Sequence, residues 1–142
     1  MSEPTKTILV VDDDPDAVTY LTTVLQDQGY ATLSARDGSE ALQRIAEQRP
    51  DLVALDITMP EKSGVAVYRA LKENDQLKGV PVIIVTGISE DFRKFISSRR
   101  QVPPPEGYLS KPVEAEQFLQ MVKNLLNVGA KRGSDPLTQQ EN

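Results

Sequence analysis

Cysteine and histidine are both absent from this chain of 142 residues. Their absence excludes disulfides, thiol nucleophiles, the usual zinc sites and every catalytic pair that depends on histidine. The N-terminal segment MSEPTKT lacks the apolar core of a signal peptide, and no apolar run approaches the length of a membrane span. We therefore expect a cytoplasmic protein that does not insert into membranes. Its chemistry must rest on carboxylates, hydroxyls and lysines.

The charge balance is acidic. Sixteen lysines and arginines stand against 21 aspartates and glutamates, which gives a formal net charge of -5. This balance argues against contact with a phosphate backbone as the main role, so no direct DNA binding is expected. The length suits one ordinary domain with a real hydrophobic core.

Short β-branched segments alternate along the chain with longer segments of helical period. Five predicted strand-helix units lie at 7–11 and 15–28, 30–34 and 39–48, 51–55 and 63–74, 80–85 and 90–99, and 107–109 and 115–126. This order predicts an α/β fold with a parallel sheet, because parallel neighbours need a crossover and a helix is the usual one. The apolar runs ILVV and VIIV lack alternation, as expected of central strands covered on both faces.

Two residues mark the limits of the first predicted helix. Asp14 followed by Pro15 has the form of a helix N-cap and a proline at the first helical position. Gly29 is well placed to end the same helix. We therefore assign Asp14 a structural role and not the role of a ligand.

Polar residues follow four of the predicted strands at their carboxyl ends, which meet in one pocket in an open parallel sheet. They are Asp12 and Asp13 after the first strand, Asp56 after the third, Thr86 after the fourth, and Ser110 and Lys111 after the fifth. Each has an ordinary alternative: a lone aspartate favours a helix N-terminus, and a lone Thr86 or Lys111 fits any surface. Their joint arrival at one edge of the sheet indicates a site.

Three carboxylates held together repel one another and raise one another's pKa unless a cation lies among them. Oxygen ligands without histidine or cysteine favour a hard ion, and so small a set of carboxylates suits Mg²⁺ better than Ca²⁺. Mg²⁺ and Lys111 together would match the three negative charges. Such a site can accept a phosphoryl group by attack of a carboxylate, which forms an aspartyl phosphate.

Four segments in order resemble the receiver domain of bacterial two-component response regulators. They are ILVVDDDPDAVTYL, DLVALDITMPEKSG, VIIVTG and GYLSKP. The resemblance implies a flavodoxin-like (βα)5 fold, a doubly wound parallel sheet of five strands in the order 2-1-3-4-5. The resemblance covers a receiver domain at 6–127 and leaves an N-terminal extension at 1–5. Residues 128–142 include few apolar residues, so they are expected to be a disordered tail or a linker.

The resemblance assigns roles to the acidic residues. Asp56 would be the phosphoacceptor and a ligand of Mg²⁺. Asp13 would be a direct Mg²⁺ ligand, Asp12 would act largely through water, and the backbone carbonyl of Thr58 would complete the metal site.

The resemblance also implies the parts of a switch. Lys111 would hold the phosphoryl group or pair with Asp56, and Thr86 would turn its hydroxyl toward the phosphate. Tyr108 occupies the aromatic switch position of the family, although an ordinary half-buried strand tyrosine is the alternative. A cis peptide is expected between Lys111 and Pro112.

One region departs from the family pattern. Receivers commonly have a short turn of small residues before the fifth strand, whereas this chain has SSRRQVPPPEGY, with prolines at 103–105. The prolines favour an extended segment and a shorter preceding helix. We interpret this departure as a specialised partner surface, with a harmless loop variant as the alternative.

The leading hypothesis is a phosphorylation-dependent switch of a two-component system or phosphorelay, and not an enzyme apart from its own phosphotransfer and autodephosphorylation. Its partners would be a histidine kinase or histidine phosphotransfer protein and a downstream protein at the face formed by 90–99, 107–109 and 115–126. A phosphorylation-dependent homodimer is a further expectation. The alternatives are a constitutive binding module and an aspartyl phosphohydrolase that uses Asp12 and Asp14, which leaves Asp56 unexplained.

Overall fold

The computed structural model of the chain describes residues 5–56, 63–86 and 106–132. Within these ranges, five strands and four helices follow one another along the chain. They are β1 (Thr7–Val11), α1 (Pro15–Asp27), β2 (Ala31–Ala35), α2 (Gly38–Glu47), β3 (Leu52–Asp56), α3 (Ser63–Glu73), β4 (Val82–Thr86), β5 (Gly107–Ser110) and α4 (Ala115–Arg132). The helix predicted at 90–99 lies outside the described residues.

The five strands form one parallel sheet in the order β2-β1-β3-β4-β5. The predicted α/β class and strand order are therefore confirmed. The register places Val11 opposite Leu55 and Asp56 opposite Val85. Thr86 lies opposite Ser110 in the same way. The carboxyl ends of β1, β3, β4 and β5 are thus level with one another at one edge of the sheet.

Helices cover both faces of the sheet. Successive residues of β1 point to opposite faces, so Leu9 and Val11 pack toward α2 and α3, whereas Ile8 and Val10 pack toward α1 and α4. All four of these side chains are buried, as the apolar run without alternation predicts. The packed sheet therefore fixes the backbone positions of the residues at its carboxyl edge.

The ends of α1 match the prediction. Asp14 is the N-cap, its Oδ1 accepts a hydrogen bond from the N–H of Asp16 at 3.0 Å, and Pro15 occupies the first helical position. At the other end, Gly29 has a φ of 91°, and its N–H donates to the carbonyl of Gln26. Glycine adopts this left-handed conformation without the steric cost that other residues meet.

The N-cap of α1 leads to a prediction about stability. Asp14→Ala should lower the free energy of unfolding by about 1 kcal/mol, because the N–H of Asp16 loses its acceptor. Asp14→Asn should stay close to wild type, since asparagine caps helices about as well as aspartate. Urea unfolding of the two variants measures both values. Equal losses in the two variants would contradict the assigned capping role.

The end of α4 differs from the prediction. The helix was expected to end at residue 126, but it continues to Arg132. Residues 128–132 are therefore helical, and the predicted helix ends six residues too early. The intrinsic helix cost of Gly129 is about 1 kcal/mol, and Ala130, Lys131 and Arg132 after it all favour helix. Within the described residues, the other predicted boundaries agree with the structure to within two residues.

Candidate functional site

Three carboxylates lie together at the carboxyl edge of the sheet. Asp12 and Asp13 follow β1, and Asp56 is the last residue of β3. One carboxylate oxygen from each of the three lies within 4.8 Å of the others. Asp12 and Asp56 are 1% and 2% exposed, whereas Asp13 is exposed to solvent. The cluster therefore has a buried side and an open side.

Lys111 joins the two buried carboxylates. It follows β5, and its Nζ donates to Asp12 Oδ2 at 3.0 Å and to Asp56 Oδ2 at 3.3 Å. Partial burial disfavours the charged ammonium, but the hydrogen bond that Lys111 donates to Asp12 and the charges of Asp56 and Asp12 outweigh it and raise the pKa of Lys111. Lys111 therefore stays charged and offsets one of the three negative charges.

Asp12 is engaged on both of its oxygens. Its Oδ1 accepts the backbone N–H of Asp14 at 3.0 Å, while its Oδ2 accepts from Lys111. Burial raises the pKa of the Asp12 carboxyl above its ordinary value, and the charge of Asp56 adds to this effect. The N–H of Asp14 and the ammonium of Lys111 act in the opposite direction without cancelling it. One ammonium thus compensates the cluster only in part.

The cluster fits a divalent metal ion. Its donors are carboxylate oxygens alone, which are the ligands that Mg²⁺ prefers, and they are close enough to share one ion. The exposed position of Asp13 leaves one side open to solvent, as an ion that keeps several waters requires. The residues that could hold Mg²⁺ are therefore Asp12, Asp13 and Asp56.

The structure describes the remaining predicted site residues only in part. Thr86 is the last residue of β4, at the same edge of the sheet, but its side chain lies outside the described part of the chain. Tyr108 lies in β5 and is partly buried against the cluster of core residues beneath α2 and α3. The peptide between Lys111 and Pro112 is cis, as expected. Thr58 and the prolines at 103–105 lie outside the described residues.

Two features near the site were not predicted from the sequence. A cavity of about 590 Å³ opens beside Asp12 and Lys111, between α1 and the loop after β5. Across it, the hydroxyl of Tyr20 donates to the carbonyl of Val113 at 3.1 Å. The partners are 93 residues apart. Tyr20 lies in the segment ILVVDDDPDAVTYL, but nothing in that segment indicated a contact with Val113.

Residues 8–123 match the family described as the response regulator receiver domain. The chain belongs to this family. The receiver resemblance of its four segments is thereby confirmed, and the family associates the chain with two-component signalling. Receiver domains generally act in signalling and not as enzymes. Among the described residues of this receiver, no helix is both long and apolar enough to cross a membrane.

Two curated relatives of this receiver are of similar length to it. The polar-differentiation response regulator DivK of Brucella anthropi is 35% identical over 121 residues, which cover 85% of this chain and 96% of the relative. DivK of Brucella ovis is 34% identical over 122 residues, which cover 86% and 97%. The likeness thus extends over nearly the whole of each relative.

Solved structures give the same fold. A CheY-like response regulator receiver domain protein from Methanospirillum hungatei superposes with a TM-score of 0.79 at 26% identity, covering 91% of this chain and 99% of that one. The receiver domain of a histidine kinase from Syntrophus aciditrophicus has a TM-score of 0.77 at 32% identity, covering 93% and 94%. Similar domains therefore occur in response regulators and within a kinase.

Proposed function

We propose that this receiver accepts a phosphoryl group on Asp56 from a histidine kinase or a histidine phosphotransfer protein, and signals by protein contact. One observation carries the proposal: the Asp56 carboxylate is 2% exposed, lies 3.3 Å from the ammonium of Lys111 and shares a cluster with two further carboxylates. A structural role for Asp56 alone would not require two more acidic residues beside it, since like charges repel.

The transfer step follows from these groups. An oxygen of the Asp56 carboxylate forms a bond to phosphorus as the bond from phosphorus to the imidazole nitrogen of the donor breaks, and the electron pair of that bond remains on the nitrogen. Lys111, already beside Asp56, offsets negative charge on the phosphoryl oxygens. When bound, Mg²⁺ supplies Lewis-acid stabilisation of the same oxygens.

The two neighbouring aspartates have different proposed roles. Both oxygens of Asp12 already accept hydrogen bonds, whereas Asp13 is exposed. Direct metal ligation is therefore assigned to Asp13 and Asp56, and Asp12 acts largely through water. The carbonyl of Thr58 is a further proposed ligand, which rests on the family resemblance alone. This division supports the roles that the sequence resemblance implies.

The proposed signal to a downstream protein passes through residues at the carboxyl ends of β4 and in β5. Tyr108 in β5 and Thr86 at the end of β4 would report phosphorylation to a downstream protein at a face that includes residues 90–99. A phosphorylation-dependent homodimer at this face belongs to the same proposal. We further propose a cytoplasmic location and a receiver domain at 6–127, with residues 1–5 as an extension.

The test of the proposal is phosphorylation without a kinase. The full chain is incubated with Mg²⁺ and phosphoramidate, and the product is analysed by mass spectrometry with peptide mapping. We expect one phosphate, on the peptide that contains Asp56, and none when the metal is chelated. Phosphate on Asp12 would instead indicate a phosphohydrolase. If no phosphate is added, and if the spectra of the protein do not change when beryllofluoride is added, the chain would be a constitutive binding module.

A further inference from the structure

The loop that carries Lys111 is tied to α1 by one side chain. Regular structure fixes both ends of this loop, because β5 pairs with β4 up to Ser110 and the carbonyl of Glu114 accepts the N–H of Phe118 at 3.0 Å. Between these ends, the carbonyl of Val113 accepts a hydrogen bond from the hydroxyl of Tyr20 at 3.1 Å. Tyr20 thus fixes the middle of the loop, two residues beyond Lys111.

The same helix also fixes the partner of Lys111. Asp14, the N-cap of α1, donates its backbone N–H to Asp12 Oδ1 at 3.0 Å. The carboxylate of Asp12 and the loop that carries Lys111 are therefore both held by contacts with α1, and the carboxylate lies 3.0 Å from the ammonium. Tyr20 supplies the contact on the side of the ammonium.

We propose that Tyr20 is a positioning residue for phosphoryl transfer, acting through Val113 to hold the ammonium of Lys111 beside Asp12 and Asp56. This inference rests on the proposed function. The hydroxyl of Tyr20 donates its hydrogen bond to Val113 and not to the carboxylates. Its hydroxyl sets the distance between α1 and the loop, and the loop sets where the ammonium lies.

The size of the effect follows from the kind of bond. The tyrosine is 44% exposed, so water can replace much of the energy of the lost hydrogen bond and the stability of the domain should change little. The rate of phosphoryl transfer is more sensitive than the stability of the domain. A small displacement of the Lys111 ammonium weakens its stabilisation of the phosphoryl oxygens. Loss of this neutral hydrogen bond should lower the rate about three- to tenfold.

The variant that isolates the hydroxyl is Tyr20→Phe, because the ring and its packing remain. The matched control is Tyr30→Phe, whose ring packs against the core between α1 and α4, away from Lys111. The rate constant of phosphorylation by phosphoramidate is measured with Mg²⁺ in excess. We expect a loss of about three- to tenfold for Tyr20→Phe and none for Tyr30→Phe, with wild-type Mg²⁺ affinity and urea midpoint for both.

A double-variant cycle tests whether the effect passes through Lys111. In a Lys111→Gln background, Tyr20→Phe should have no further effect on the rate, because the ammonium that Tyr20 positions is gone. An unchanged rate in the single variant, or independent losses that multiply in the double variant, would overturn the inference.

A second readout does not require phosphorylation. The ¹³Cε resonance of Lys111 should shift in Tyr20→Phe and stay in place in Tyr30→Phe, since the ammonium changes its surroundings only in the first. If wild type takes up no phosphate, the proposed function fails, and this resonance alone decides the role of Tyr20. A resonance that does not move in Tyr20→Phe would show that the hydroxyl does not position Lys111.

Discussion

Asp56→Asn should abolish phosphorylation of the receiver by phosphoramidate or by a partner kinase. The amide oxygen of asparagine carries no negative charge, so it is a poor nucleophile toward phosphorus and a weaker ligand for Mg²⁺. Removal of a nucleophile typically costs a factor on the order of 10³ or more. Measured by mass spectrometry under conditions that label wild type fully, the variant should show no phosphate on any residue.

The domain should remain folded in Asp56→Asn, which separates loss of chemistry from loss of structure. Asp12 and Asp56 are both buried, and the charge of Asp56 contributes to the raised pKa of Asp12. Replacing Asp56 removes this repulsion and leaves Lys111 paired with Asp12 at 3.0 Å. We therefore expect a free energy of unfolding at neutral pH that is no lower than that of wild type, measured by urea unfolding.

Asp37→Asn is the matched control for Asp56→Asn. Asp37 caps α2 through a hydrogen bond from the N–H of Glu40 at 2.8 Å, and asparagine preserves this cap. The control makes the same chemical change away from the cluster and should be labelled like wild type. Full labelling of Asp56→Asn, or equal loss in both variants, would contradict the assignment of Asp56 as phosphoacceptor.

The fold was largely predictable because its strands are apolar for a structural reason. β1 and β3 are covered on both faces, so every residue in them is buried and the sequence shows uninterrupted apolar runs. Such runs do not determine the order of the strands, which only the family resemblance supplied. The end of α4 was missed because residues 128–132 have few apolar residues, although they favour helix.

The sequence predicted which residues lie together in the site. The carboxyl ends of parallel strands lie at one edge, so Asp12, Asp56 and Lys111 were expected to meet there. The distances between these side chains could not be predicted. The ammonium of Lys111 lies closer to Asp12 than to Asp56 because of the path of the loop after β5, which the sequence pattern does not determine. The roles of Thr86 and Thr58 remain predictions.

An ion pair between a buried lysine and a partly exposed glutamate, at the opposite edge of the sheet, could not be predicted from the sequence. Lys72 on α3 has a side chain that is 1% exposed, and its Nζ lies 2.8 Å from Glu106 Oε2 and 3.0 Å from Oε1. The carbonyls of Val80 and Lys78 also accept from it, at 3.4 and 3.5 Å. The sequence shows Lys72 next to apolar residues of a helix, but it does not indicate that Glu106 is its partner.

Glu106→Gln should be the most destabilising of the conservative changes at this ion pair. It leaves the buried ammonium of Lys72 without a countercharge. Breaking a fully buried pair costs about 3–5 kcal/mol, so we expect about 2–3 kcal/mol for this pair, whose glutamate is 36% exposed. The amide can still accept the N–H of Val82, which Glu106 Oε1 accepts at 2.8 Å, so the loss reports the charge and not this second bond. Urea unfolding of the full chain measures the change.

Lys72→Met should cost less, about 1–2 kcal/mol, because it removes the buried charge itself and keeps most of the side-chain volume. Glu106 is left without its partner, but its side chain is 36% exposed and can be hydrated. The double variant Lys72→Met with Glu106→Gln should therefore be more stable than Glu106→Gln alone. This order of stabilities follows from which of the two partners is buried.

Equal losses in the two single variants, or additive losses in the double variant, would show that the pair does not act as a buried charge and its counterion. Phosphorylation supplies a separate measurement. Glu106 directly precedes β5, whereas Lys111 follows it, so the ion pair and the carboxylate cluster lie at opposite ends of the same strand. Lys72→Met should consequently accept phosphate on Asp56 at a rate close to that of wild type, even though its unfolding midpoint is lower.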